Sequence, residues 1–130
     1  MANRRPPAFV RKVFNPIAMR LGLSGTETLV VTGRSSGDER RVPVIPIEHE
    51  GARYLVSPRG ETDWVRNLRA AGNGELRSRR GSEDFRAREV PVADRPRILT
   101  AYQRVAGRAV KSHFDALPDP ADHPVFRIEP

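Results

Sequence analysis

The sequence predicts an α+β domain in which an antiparallel sheet or small barrel carries flanking helices. Three observations lead there. Extended segments and amphipathic helices follow one another in the order β, β, β, α, β, β, α, β, after a first helical stretch. The connections are short, which favours antiparallel neighbours over long parallel crossovers. A chain of 130 residues and 14.6 kDa has room for one core, and not for a doubly wound enzyme with a second domain.

Residues 1–7, with Arg4, Arg5 and two prolines, read as a flexible basic arm ahead of a single domain over residues 8–130. From Ala8 to Leu23, Phe9, Val10, Val13, Phe14, Ile17 and Leu21 recur at helical spacing, so an amphipathic helix kinked near Pro16 is expected. Its apolar stripe, flanked by Arg11, Lys12 and Arg20, suits core packing first and a membrane surface second. Thr28–Thr32 is a β-branched strand running into Gly33-Arg34-Ser35-Ser36-Gly37-Asp38-Glu39, a hairpin turn by composition. Arg40–Glu48 resumes extended structure, but Pro43 and Pro46 cannot donate ladder hydrogen bonds and demand an edge or a bulge.

His49-Glu50-Gly51 turns the chain into a strand over Ala52–Ser57, which Pro58-Arg59-Gly60 ends. Thr62 then caps a helix whose apolar face is Trp64, Val65, Leu68 and Ala71, and which Gly72 and Gly74 terminate. Trp64 is expected in the core, with Asn67 pointing elsewhere, toward backbone or ligand. A charged hairpin follows, Glu75–Arg80 and Phe85–Val92 around a turn at Gly81-Ser82-Glu83-Asp84. Asp94 caps a helix presenting Ile98, Leu99, Tyr102 and Val105, Arg108–Phe114 forms another helical piece, and Val125–Ile128 closes as a strand.

Of 23 cations against 16 acids, 21 are Arg, the residue suited to planar, bidentate recognition of phosphate and carboxylate. They gather near the N-terminus, around the Gly33 turn as Arg34, Arg40 and Arg41, and across the second hairpin as Arg77, Arg79, Arg80, Arg86 and Arg88. Nucleic acid, an anionic membrane surface and a polyanionic small molecule are the partners open to such charge. Aromatics make up 6% of the chain, and the second hairpin lacks the interleaved Phe and Tyr of a single-strand-binding sheet, which argues against nucleic acid. With no cysteine, thiolate nucleophiles and thiolate-held metals are excluded, and His49, His113 and His123 lack metal-ligand spacing. Gly33-Arg34-Ser35-Ser36-Gly37 matches G-x-S-x-G, but an extended segment follows it rather than a helix, so no nucleophile is expected there. Its free N–H groups, hydroxyls and neighbouring arginines make either an ordinary polar hairpin or an anion cradle. No apolar run is long enough to cross a membrane and no signal peptide is recognisable, so a cytoplasmic protein is expected. The stretch 8–23 leaves peripheral contact with the inner face of the membrane open, and monomer and dimer are both open.

The ordered set Thr32-Gly33-Arg34-Ser35-Ser36-Gly37, then Arg40 with Pro43, then Arg53-Tyr54-Leu55-Val56-Ser57, then Trp64-Val65-Arg66-Asn67-Leu68 resembles the deazaflavin-dependent nitroreductase family. These are the F420H2-dependent quinone and nitro reductases of actinobacteria, and the resemblance covers about residues 8–130. It implies a split β-barrel of mostly antiparallel strands with flanking helices. It also implies F420 as cofactor, a deazaflavin with a ribityl phosphate and a polyglutamate tail, with FMN the less favoured alternative. The implied reaction is hydride transfer to a hydrophobic quinone, nitro or enone acceptor.

Carried across, the family's cofactor contacts fall on Arg34, Ser35 and Ser36, and on Arg40, Arg41, Val42, Pro43, Val44 and Ile45. Others fall on Ser57, Pro58, Arg59 and Gly60, and on Asp63, Trp64, Val65, Arg66 and Asn67. Family members often carry Lys where Ser35 stands, so Arg41 or Arg59 is expected to replace that tail contact. Solvent or Tyr102 is the expected proton source. The alternatives are a ligand carrier of the same fold and a basic nucleic-acid-binding module built on the second hairpin.

Overall fold

A computed structural model describes residues 25–130, and the arm and helix expected over residues 1–7 and 8–23 lie outside the described residues. Seven strands form one sheet: β1 (Glu27–Thr32), β2 (Glu39–Val44), β3 (Ile47–His49), β4 (Ala52–Val56), β5 (Asn73–Ser78), β6 (Gly81–Glu89) and β7 (Val125–Glu129). Their spatial order is β2-β1-β5-β6-β7-β4-β3, and every neighbouring pair is antiparallel. The helices are α1 (Asp63–Ala71), α2 (Arg95–Ala106) and α3 (Arg108–Ala116).

The prolines set the edges. Arg40–Glu48 is not one strand: β2 stops at Val44, the chain steps through Ile45 and Pro46, and β3 begins at Ile47 on the opposite edge of the sheet. Pro43 sits on the edge strand β2 opposite Thr28, where a missing N–H is tolerated, and Pro46 occupies the step. Two edges joined by so short a link must approach each other, so the sheet curls into a barrel that is closed at that link and split beyond it.

Successive residues of each strand face opposite sides, and both sides are covered. Within the curl, Leu29, Leu55, Leu76, Phe85 and Phe126 pack with Val65 and Leu68 of α1. On the other face, Ile45, Val56 and Val125 pack with Ile98, Leu99 and Tyr102 of α2 and Val110 and Phe114 of α3. Each buried aliphatic or aromatic side chain contributes about 1.5–3 kcal/mol from the apolar surface it removes from water.

Three local expectations are corrected. The β5–β6 hairpin turns at Arg79-Arg80, since Ser78 pairs with Gly81, whose φ of +122° closes a two-residue turn, and Gly81-Ser82-Glu83-Asp84 therefore belong to the strand. Arg77 of the same hairpin is 3% exposed and bonded to Glu75 at 3.1 Å and Glu39 at 3.3 Å, so the supposed basic face loses its central cation. Val105 is 59% exposed, because Ala106 takes the inward position on α2. Among the described residues, no helix is long and apolar enough to cross a membrane.

Candidate functional site

The split in the barrel is a groove of about 790 Å³, within the size range of small-molecule sites. One wall is strand β2 and Ile45, with the β1–β2 turn. The other is Val56 to Arg59 and the first turn of α1, and Tyr102 of α2 reaches in between. No described strand pairs with the outer edge of β2, and β3 covers β4 only as far as Tyr54, so both walls present strand backbone free of ladder partners.

At one end the groove is cationic. The β1–β2 turn is tight, with Gly33 N–H donating to Asp38 C=O at 2.7 Å and Gly37 N–H to Gly33 C=O at 2.9 Å. A Cβ on Gly33 would lie 2.9 Å from Ser36 Oγ and 3.2 Å from Arg40 Nε, so glycine is what allows Arg40 to fold back over the turn. Ser36 Oγ accepts from Asp38 N–H at 3.1 Å and from Arg40 Nη2 at 3.4 Å, which leaves its own proton for a ligand.

Arg34 is docked on α1. Asp63 and Asn67, one helical turn apart, share a face, and Asn67 Oδ1 accepts from the Arg34 backbone N–H at 3.0 Å and from Nη1 at 2.8 Å. Asp63 accepts from Arg34 Nη2 at 3.5 Å. Asn67 is buried, as its expected backbone bond requires. Arg41 pairs with Glu39 at 3.1 Å. Arg40 and Arg59 have no carboxylate partner among the described residues, and altogether four arginines and one aspartate line the groove.

The loop after β4 is held from behind. The fully buried Ser57 donates its hydroxyl to Gly60 C=O at 2.6 Å and its N–H to Pro124 C=O at 3.0 Å. Its carbonyl lies 2.9 Å from Nδ1 of the fully buried His123, whose Nε2 lies 2.5 Å from Leu117 C=O and whose ring stacks on Phe114 at 4.1 Å. Ser57 therefore has only acceptor capacity left for a ligand.

The other end is apolar, with Val44, Ile45, Val56 and Tyr102. Trp64 is half-buried against Phe126, ring centroids 6.2 Å apart, and its remaining surface lines the groove, so it is not wholly a core anchor. Tyr102 is 3% exposed, and burial pushes its phenol up to about 12, so the group keeps its proton at neutral pH.

Most residues singled out from the sequence meet here: Arg34 to Ser36, Arg40 to Ile45, Ser57 to Arg59, Asp63, Trp64, Asn67 and Tyr102. Three lie off the groove. Val65 is turned into the core, Arg66 follows it on the helix and points to solvent, and Gly60 supplies a bend at φ +93° with its carbonyl engaged by Ser57. Thr26, Val31, Gly33, Val56 and Thr62 line it unforeseen. Gly33 stood inside the turn motif, and Val56 and Val31 read only as strand interior. Thr62 occupies the expected cap position of α1, yet its hydroxyl makes no capping bond and is buried without a partner.

Fold and groove together define a split-barrel protein with a cleft that is cationic at one end and apolar at the other. The model of the F420H2-dependent quinone reductase family matches residues 3–113. The chain belongs to that family: it is an F420-dependent reductase, and F420 is its cofactor. The match ends before β7, short of the closing segment that the sequence resemblance includes.

Among solved structures, an F420-H2 dependent reductase, FDR-A, superposes with a TM-score of 0.62 at 23% identity, covering 82% of this chain and 95% of that one. A structure described as a domain-swapped dimer gives 0.60 at 20% identity over 96% and 100%. A protein of the pyridoxinephosphate oxidase family from Clostridium acetobutylicum gives 0.55 at 12% identity over 92% and 84%. At these identities the likeness establishes the split-barrel fold. A search of curated proteins finds no match.

Proposed function

We propose that F420 lies along the groove, its phosphate and glutamate tail among Arg34, Ser36, Arg40, Arg41 and Arg59 and its ring toward Val44, Ile45, Val56 and Tyr102. There the chain reduces a hydrophobic quinone, nitro or enone acceptor. The observation that carries this reading is the division of one groove into an arginine end and an apolar end.

The residues fit such a ligand. Arg40, Arg59 and the free proton of Ser36 are donors without competing carboxylates among the described residues, while Asp63 is engaged by Arg34. Each charge-assisted hydrogen bond to an anion contributes about 1.5–3 kcal/mol. Bound F420H2 supplies a hydride from its deazaflavin C5, which with one proton converts a quinone to the hydroquinone.

The chain supplies binding and orientation. Ser57 to Gly60, fastened through His123 and Pro124, fixes one wall, and the apolar end excludes water from the acceptor. Burial keeps the Tyr102 phenol protonated at neutral pH, so it serves as a hydrogen-bond donor, and of the two expected proton sources, solvent and Tyr102, the reading takes solvent. A hydrophobic acceptor is met at a membrane surface, and residues 8–23 are the segment proposed to make that contact.

Two measurements test the reading. Titration followed by F420 fluorescence should give saturable, salt-sensitive binding, and steady-state oxidation of F420H2 against a quinone panel should give turnover. Binding without turnover would assign a carrier instead, and no binding of either redox form at low salt would remove the proposal.

A further inference from the structure

Among the described residues, four buried side-chain polar atoms have no hydrogen-bond partner: the hydroxyls of Thr26, Thr28 and Thr62, and Arg77 Nε. Thr28 and Arg77 pair across β1 and β5 and do not line the groove. Thr62 stands beside Asp63 at the α1 wall. Thr26, 3% exposed, lines the groove at its other end. The strand register fixes its place: Glu27 pairs with Val44, so Thr26 comes level with Ile45, which packs in one cluster with Val56 and Tyr102.

A buried hydroxyl without a partner is unfavourable for folding, and a valine of the same shape would fill the space without that penalty. At Thr26 the hydroxyl is retained in a residue that lines the groove and has no partner among the described residues, so a molecule entering the groove is the partner it is placed to meet. Ile45 and Val56 beside it are apolar, so the two hydroxyls there, of Thr26 and Tyr102, specify orientation rather than bulk affinity.

We propose that the Thr26 hydroxyl, with that of Tyr102, donates a hydrogen bond to the carbonyl oxygen of a quinone or enone acceptor. This rests on the reading that F420 occupies the same groove. As the hydride, two electrons and one proton, passes from F420H2 to the acceptor, negative charge develops on that oxygen, which is then protonated by water. Donors fixed beside the oxygen strengthen as the charge grows. Thr26 thereby sets a preference for oxygen-polarised acceptors that the arginine end cannot supply.

The test compares Thr26→Val with Thr26→Ser by four readouts. The unliganded Thr26→Val chain should melt at or above the wild-type temperature, and both variants should bind F420 within about twofold of wild type. Menadione should bind the complex with oxidised F420, where no turnover occurs, about tenfold more weakly to Thr26→Val than to wild type, with Thr26→Ser close to wild type. The kcat/KM for menadione reduction should fall by about tenfold or more in Thr26→Val. Unchanged menadione affinity and turnover in Thr26→Val would overturn the inference. So would a lowered melting temperature, which would give the hydroxyl a structural role, or a comparable loss of F420 affinity, which would assign it to the cofactor. Failure of the wild-type chain to bind F420 would overturn both the underlying reading and this one.

Discussion

Replacing Arg40 with alanine separates ligand binding from folding. Its guanidinium hydrogen-bonds the protein only at Ser36 Oγ, at 3.4 Å, among the contacts described, and the residue is exposed. Loss of such a contact changes folding stability by about 0.5 kcal/mol or less. A charge-assisted bond to the cofactor's anionic tail contributes about 1.5–3 kcal/mol, and at about 1.4 kcal/mol per tenfold the Kd for F420 should weaken roughly 10- to 150-fold. The assay is equilibrium titration by F420 fluorescence at about 50 mM and about 300 mM salt, since ionic screening should weaken wild type more than the variant. Arg34→Ala makes the contrast: it removes a groove cation and also the Nη1 donor to buried Asn67 Oδ1, which keeps only its bond from the residue-34 backbone N–H, so affinity and melting temperature should fall together. Arg79→Ala, at the β5–β6 turn outside the groove, should leave the Kd unchanged. An Arg40→Ala protein within twofold of wild type and with the same salt dependence would show that the β1–β2 turn does not hold the anion.

Gly33→Ala should force Ser36 Oγ and Arg40 Nε aside, costing about 1 kcal/mol or more of overpacking and lowering F420 affinity about fivefold, read by the same titration. Leu68→Ala removes a fully buried side chain beneath α1 and should cost about 2–5 kcal/mol in urea denaturation. For Tyr102 the folded phenol ionises only at about 12, so as the pH climbs past the ordinary tyrosine value the unfolded chain loses its proton first and stability falls. Tyr102→Phe should remove that part of the alkaline slope, between about pH 10 and 12, in a stability profile.

Most strands, α1 and the arginine-bearing β1–β2 turn were legible because each rests on local chemistry. β-branched runs, Thr62-Asp63 before an apolar face, and glycines at the bends each constrain the backbone within a few residues. The edge role of Pro43 was legible for the same reason, since a missing N–H is a local fact. That the one extended run Arg40–Glu48 supplies both edges of the sheet was not, because only closure of the barrel decides which strand each half joins. The hairpin turn was displaced because Gly81 works at the end of a two-residue turn and not inside a longer one. Arg77 read as one more surface cation because its burial, and its pairing with Glu39 38 residues away as well as with nearby Glu75, show only once the strands are assembled. Thr26 left no signal at all: a threonine before a strand is ordinary until the register sets it level with Ile45. The arginines and Asn67 were found through motif order, whereas hydroxyls that line the groove without partners show only in three dimensions.

A crystal structure of the chain with F420 tests the central claim most directly. The account predicts the tricyclic ring between the end of β2 and Val56, near Tyr102, with the phosphate and tail running toward Arg34, Arg40 and Arg59. A cofactor bound on another face of the barrel, or in this groove with its tail at the Ile45–Tyr102 end, would contradict it.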